Sequence, residues 1–86
     1  MSEGSIRAVV EALARALTDK PNDVRVTEKE HGGTTLVELY VGAGEIGRVV
    51  GKQGRTAAAL RTLAAAAGEK IGKTVTLEIR DTPYKG

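Results

Sequence analysis

The sequence predicts a small α+β domain in which helices cover one face of a three-stranded sheet, a two-layer sandwich. Helical and strand-like periodicities follow one another in the order α-β-β, a glycine-rich stretch that allows a short helical turn, and then α-β. Every predicted strand alternates apolar with polar side chains, so the sheet needs a covering layer on one side only. The chain has 86 residues, 41% of them apolar and only two of them aromatic, which indicates an aliphatic core. We expect one domain over residues 1–86, ordered at about residues 5–81.

The first two elements are a helix and a β-hairpin. Apolar side chains at helical spacing predict a helix from about Ser5 to Asp19, which Pro21 ends. That spacing is carried by Ile6, Val9, Val10, Leu13 and Leu17. A strand follows from Val24 to near Glu30, and the glycines of "HGG" at 31–33 are typical of a hairpin connection.

The returning strand, "TTLVELYV" at 34–41, alternates between two faces. Its core face comprises Thr35, Val37, Leu39 and Val41, and its open face Leu36, Glu38 and Tyr40. A last strand at residues 75–80 buries Val75, Leu77 and Ile79. Two large side chains on an open face are usual for a protein surface, and contact with a second chain is the alternative.

The helical segment between the last two strands contains a short turn at about residues 45–50 and a long helix from about Gly54. Its apolar residues, Leu60, Ala64, Ala67 and Ile71, continue one face past Gly68. The C-terminal glycine of this helix is therefore expected at Gly72, and a mid-helix Gly68 costs roughly 1 kcal/mol relative to alanine. The alanines at 57–59 and 64–67 allow close approach to the sheet.

Charge is distributed unevenly along the chain. Residues 1–44 carry five Lys/Arg and seven Asp/Glu, whereas residues 45–86 carry eight and four. The basic excess is densest around a glycine-rich stretch, "GAGEIGRVVGKQGR" at 42–55, and comprises Arg48, Lys52, Arg55 and Arg61. Such a patch suits a polyanion, although a solvated helix face explains the charge equally well.

Two glycine patterns in this stretch fail on inspection. "GAGEIG" matches the dinucleotide fingerprint G-x-G-x-x-G, but a second glycine pair at 51 and 54 interrupts the required helix. The next strand also ends far beyond the position of the required acidic residue. The Walker pattern fails because Ile46 and Gln53 stand where a glycine and a magnesium-binding hydroxyl are needed.

A third pattern, G-x-x-G at 51–54, lies between an apolar turn and the start of the long helix. The run "IGRVVGKQGRTAAALRTL" resembles the KH-domain signature, V-I-G-x-x-G followed by a helix. The element order resembles the type II KH fold over the whole chain, and similarity is greatest to small bacterial single-KH RNA-binding proteins. Val50 replaces the more usual isoleucine, and Ala57 stands where the signature prefers a larger aliphatic residue, which affects base preference more than fold.

The resemblance implies that the loop clamps about four nucleotides of single-stranded RNA along their backbone. The clamp would consist of Gly51, Lys52, Gln53 and Gly54. Arg48 and Arg55 would contact phosphates, with Arg61 a weaker candidate. Candidate groove or underlying core residues are Ile46, Val49, Val50, Ala58 and Leu60. The family also implies a homodimer or pairing with another KH-containing protein.

The sequence offers little for catalysis. His31 is the only histidine and stands in a predicted turn, and no Ser-His-Asp set or metal-ligand cluster can be assembled. We therefore expect no enzyme, cofactor, metal or small-molecule substrate. No window has the length of a membrane span and there is no cysteine, so a cytoplasmic protein is expected. The rival hypothesis is a protein-interaction module that acts mainly through dimerisation on a KH scaffold.

Overall fold

A computed structural model describes residues 6–81 and confirms the predicted order of elements. The elements are α1 (Ile6–Leu17), β1 (Arg25–His31), β2 (Thr34–Val41), α2 (Ile46–Val50), α3 (Arg55–Lys70) and β3 (Thr74–Asp81). Short 3-10 turns occupy Pro21–Asp23 and Lys52–Gly54. The helix start expected at Ser5 and the tail at 82–86 lie outside the described residues.

The sheet has the order β1-β2-β3, with β2 in the centre. β1 pairs antiparallel with β2 through the predicted hairpin, and β3 pairs parallel with β2. A parallel pair needs a crossover connection, which α2 and α3 provide. α1 and α3 pack on the same side of the sheet, and no helix among residues 6–81 covers the other face, which confirms the two-layer α+β prediction.

The core lies between the sheet and the helices and is aliphatic, as predicted. On β2 it contains Val37, Leu39 and Val41, all fully buried. On α1 it contains Ile6, Val10 and Ala14, which are spaced four residues apart. That stripe corrects the predicted face of α1, since Val9 and Leu17 at its margins are 37% and 38% exposed.

The end of α3 shows why the sequence tolerates Gly68. This residue is buried, and a Cβ added to it would overlap the side chain of Val75 and lie 2.8 Å from the carbonyl oxygen of Lys73. The glycine therefore allows α3 to approach β3. Gly72 has φ of 72°, and the Lys73 N–H donates to the Gly68 carbonyl, so the predicted C-terminal glycine is confirmed. The predicted helical face does not extend to Ile71, which follows the helix and is 58% exposed.

Only part of the alanine-rich surface of α3 faces the sheet. The buried positions of this helix are Ala57, Leu60, Ala64 and Gly68. Their spacing of three and four residues is that of one helical stripe. Ala58 and Ala59 are exposed. Close packing against the sheet is therefore limited to the alanines of the buried stripe, and the expectation that all of them contribute was wrong.

Glu38 is the buried charge on the open face of the sheet. The hydroxyl of Thr27 donates to it, and the side chains of Lys29 and Arg80 lie 3.6 and 3.3 Å away. The hydrogen bond from Thr27 and the two cations hold the pKa of Glu38 below its usual range. The open face therefore carries an ion-pair cluster between the half-buried side chains of Leu36 and Tyr40.

Candidate functional site

The loop between α2 and α3 has a backbone path that requires glycine at two positions. Gly51 ends α2 with φ 79° and ψ 173°, a region that is essentially restricted to glycine. Gly54 precedes α3 with φ 73° and ψ 12°, the left-handed conformation. Their predicted spacing of three residues therefore forms one tight bend, closed by the Gly54 N–H donating to the Gly51 carbonyl at 3.1 Å.

Gly51 is also required for space. A Cβ added to Gly51 would overlap the side chain of Thr56 and lie 3.1 Å from the backbone nitrogen of Thr56. A Cβ added to Gly54 would meet nothing within 4 Å. Gly51 therefore keeps the loop close to the first turn of α3, whereas Gly54 serves the backbone conformation alone.

The two residues between these glycines are exposed. Gln53 has φ 57°, the only positive value at a non-glycine residue within the described part of the chain. Such residues are uncommon and cluster at functional sites. Within residues 6–81 the ammonium group of Lys52 makes no hydrogen bond or ion pair, and the Arg55 guanidinium donates only to the neutral Oε1 of Gln53, at 3.2 Å. The loop and the first residue of α3 therefore present two cations that no carboxylate among the described residues neutralises.

The start of α3 adds a third feature that favours an anion. This helix has 16 residues, no acidic residue in its first turn and no side-chain cap on its N-terminal N–H groups. Such groups carry partial positive charge and are available to a ligand. The loop, Lys52 and the α3 N-terminus together form a surface to which a phosphate group would be attracted.

Arg48, the other predicted phosphate contact, has a different environment. Its guanidinium lies 2.9 Å from a carboxylate oxygen of Asp19 and 3.7 Å from one of Glu45. Two acidic side chains therefore flank this one cation. The structure places Arg48 beside the loop but does not leave it free.

Glu45 is the residue at this site that sequence reasoning missed. It is 7% exposed, and one carboxylate oxygen accepts from the Thr18 hydroxyl at 2.5 Å and the Asp19 N–H at 2.7 Å. The hydroxyl of Thr18 and then that backbone N–H hold the pKa of Glu45 below its usual range. These bonds fasten the residue before α2 to the end of α1. The one signal in the sequence was an acidic residue between glycine and an apolar turn, which does not identify its partner.

The glycines ahead of Glu45 are explained by structure. A Cβ on Gly42 would lie 2.9 Å from the Asp23 carboxylate and 3.1 Å from the side chain of Lys20. Gly44 has φ of 80°. The following helix, α2, has only five residues. The glycines that match the dinucleotide fingerprint therefore serve a turn and a close packing contact. This agrees with the rejection of a dinucleotide site from the sequence.

The predicted groove residues divide into two groups. Ile46 and Val50 are half-buried and Ala58 is exposed, so these three present surface beside the loop. Val49 and Leu60 are 0% and 3% exposed, which places them in the core beneath this surface and corrects Val49 as a contact residue. Ala57, whose small size departs from the family signature, is also buried.

Arg61 lies farther along α3. Its Nε donates to the carbonyl oxygen of Leu77 at 3.2 Å. β3 is an edge strand of the sheet, so this bond joins that edge to the helical layer. The side chain therefore bridges α3 and β3, which gives it a structural role in addition to its charge.

Two classes of site are not found within residues 6–81. No group of three or more His, Asp or Glu side chains could hold a metal ion there. No helix in the same part of the chain has the length and apolar character needed to cross a membrane.

Residues 7–79 match the family model described as "KhpA/KhpB, KH domain". This chain belongs to the KhpA/KhpB family of KH domains. It is 51% identical over 75 residues to the RNA-binding protein KhpA of Aquifex aeolicus, covering 87% of this chain and 95% of that protein. It is 46% identical over 76 residues to the RNA-binding protein KhpA of Halalkalibacterium halodurans, covering 88% of this chain and 100% of that protein. The resemblance to small bacterial single-KH proteins is confirmed, and the family is named for RNA binding rather than for an enzymatic reaction.

A solved structure shares the fold at low sequence identity. It is Era in complex with MgGDPNP and nucleotides 1506–1542 of 16S ribosomal RNA. The TM-score is 0.61 at 20% identity, and the match covers 92% of this chain but 31% of Era. The KhpA/KhpB chain thus spans about a third of Era, and the likeness supports the fold alone.

Proposed function

We propose that this protein binds single-stranded RNA through the loop at Gly51–Gly54 and the surface beside it. The observation that carries the proposal is the glycine-bounded bend, which leaves Lys52 exposed at the uncapped start of α3, with no carboxylate partner in the described part of the chain. Membership in a family whose relatives are named RNA-binding protein KhpA supports the same ligand.

Each part of the site has a distinct role in this proposal. The bend lets the nucleic-acid backbone approach the peptide N–H groups, since neither glycine has a side chain to hold it away. Lys52 and Arg55 contact phosphates, and Gln53 donates hydrogen bonds to phosphate oxygens. The bases turn toward the surface formed by Ile46, Val50 and Ala58, with Val49 and Leu60 supporting it from the core.

Binding of this kind is expected to be of micromolar strength, on the order of −8 kcal/mol. If about three phosphates are neutralised, the logarithm of the association constant falls with the logarithm of salt concentration at a slope of about −2. An affinity of this order suits a cytoplasmic RNA chaperone or post-transcriptional regulator, which must release its RNA.

The test is the affinity of a variant that carries both Lys52→Asp and Gln53→Asp for a labelled single-stranded RNA. We expect a loss of about 100-fold or more, roughly 2.7 kcal/mol, because the new carboxylates repel phosphate. A control with Lys70→Glu and Thr62→Glu makes the same change in net charge at exposed positions of α3 away from the loop. Unchanged affinity in the loop variant, with circular dichroism and melting also unchanged, would refute the assignment.

A second role, pairing with another chain, is favoured by exposed apolar side chains on the helical layer. Leu63 of α3 is 49% exposed and Val9 of α1 is 37% exposed, and α1 and α3 pack against each other. Pairing would raise RNA affinity through effective concentration, so the two roles are compatible. Sedimentation over a range of concentrations tests it, and a chain that stays monomeric and captures no KH-containing partner counts against it.

A further inference from the structure

The contact between α1 and α2 brings a carboxylate to a cation that stands beside the proposed RNA loop. The Asp19 carboxylate lies 2.9 Å from the Arg48 guanidinium, and Arg48 stands three residues before Gly51. The backbone N–H of Asp19 is held by Glu45 at 2.7 Å. The position of Asp19 is therefore fixed by a bond that does not involve Arg48.

We propose that Asp19 competes with RNA phosphate for Arg48 and thereby weakens RNA binding. This inference rests on the proposed function of the loop and adds a residue to it that limits affinity. Asp19 acts through Arg48 and needs no contact with RNA.

Exposure makes the Asp19–Arg48 pair exchangeable. The side chains of Arg48 and Asp19 are 56% and 68% exposed, so water and a phosphate group can reach both charges. Exposed ion pairs are weak because solvent screens them. A phosphate must nevertheless displace the Asp19 carboxylate before it can pair with Arg48.

The neighbouring Glu45 cannot be the exchanging partner. Its side chain is 9% exposed and accepts from Thr18 and Asp19 with one oxygen, while its other oxygen is 3.7 Å from Arg48. Removing Glu45 would release the end of α1 from α2 and change the fold locally. Asp19 is the one of the two carboxylates whose charge can be removed while these bonds remain.

The experiment compares Asp19→Asn with the parent chain in binding a labelled single-stranded RNA of mixed sequence. We expect binding to be about two- to fivefold tighter at low salt and the gain to shrink as salt rises, because the interaction is screened. The salt slope should steepen by about 0.7, the value of one phosphate contact on a single strand. The matched control is Glu28→Gln, which removes the same charge from an exposed position of β1 that makes no side-chain hydrogen bond or ion pair among residues 6–81.

A double-mutant cycle identifies Arg48 as the route. In an Arg48→Gln background, Asp19→Asn should give no gain beyond that of Glu28→Gln. Three outcomes overturn the inference: a gain equal to that of the control, a gain that survives in the Arg48→Gln background, or weaker binding with an unchanged melting temperature.

The proposed function fails separately. In that case the Lys52→Asp and Gln53→Asp variant would bind RNA as well as the parent chain does. The Asp19→Asn cycle would then still report whether RNA meets Arg48.

Discussion

Two basic residues four positions apart, Arg48 and Lys52, have opposite surroundings. Arg48 on α2 faces the carboxylates of Asp19 and Glu45, whereas Lys52 in the loop faces no acidic partner within residues 6–81. In the sequence both belong to one cluster of positive charge. The fold separates them, because the end of α1 lies beside α2 and does not pair with the loop.

Counting charges along the sequence therefore overestimates the positive charge that is available to an anionic ligand. The acidic residues that offset Arg48 are Asp19, in the segment that follows α1, and Glu45, in the turn before α2. The loop at 51–54, by contrast, is built from consecutive residues, so its composition alone reports its charge. Four predictions test this contrast.

Replacing Gly51 with alanine should have the largest effect. The backbone strain and the overlap with Thr56 should together destabilise the domain by about 2–4 kcal/mol and weaken RNA binding. Gly47→Ala is the matched control, since Gly47 lies within α2 with open space around its Cβ position. That control should be neutral or stabilising by up to about 1 kcal/mol. Urea unfolding measures the stability of both variants. Equal losses of stability would contradict the claim that the bend requires glycine at position 51.

Neutralising Lys52 and Arg48 separately addresses the comparison itself. Lys52→Gln should weaken RNA binding about tenfold, roughly 1.4 kcal/mol, and make the salt slope shallower by about 0.7. Arg48→Gln should change affinity by less than about twofold, because Asp19 already occupies its guanidinium. Fluorescence anisotropy over a salt series measures both variants. Equal losses of RNA affinity in the two variants would contradict the claim that Lys52 is available to RNA and Arg48 is not.

Gly68→Ala separates the packing role of a glycine from the RNA site. The added methyl group should destabilise the domain by about 1–2 kcal/mol, since overlap with Val75 and Lys73 outweighs the gain in helix propensity. RNA affinity of the folded protein should not change. Thermal melting and anisotropy of the same sample distinguish the two, and a loss of affinity without loss of stability would contradict this division.

Acid should weaken the network around Glu45. The pKa of Glu45 is lowered in the folded state from 4.5, so its contribution is present above that value and is lost as pH falls through the lower folded value. Glu38 and Glu30 shift in the same direction. The slope of stability against pH below about 5 should therefore be smaller in Glu45→Gln than in the parent chain, as measured by urea unfolding. Parallel curves would contradict the network.

Much of the fold could be predicted because its signals are local. The alternation of β2, the glycines of the hairpin and Gly72 each reflect the conformation of a few consecutive residues. The loop at 51–54 belongs to the same class, since both of its glycines have positive φ. The type II classification and the roles of the individual loop residues stay predictions.

The remainder depended on contacts between distant segments. Thr18 and Glu45 are 27 residues apart, and nothing in either segment indicates that a hydroxyl and a carboxylate meet. Gly68 looked like a cost to helix propensity until its contact with Val75 showed that β3 requires the space. Val49 has the same apolar character as Val50, and only the direction of α2 shows that it is buried.

The most direct test of the RNA site is a titration of isotope-labelled protein with a short single-stranded RNA, followed through backbone amide resonances. We expect the largest shifts at the amides of Gly51 to Arg55, smaller shifts at Ile46 and Ala58, and none on the open face around Glu38. Shifts confined to that open face, with the loop amides unmoved at saturation, would contradict it.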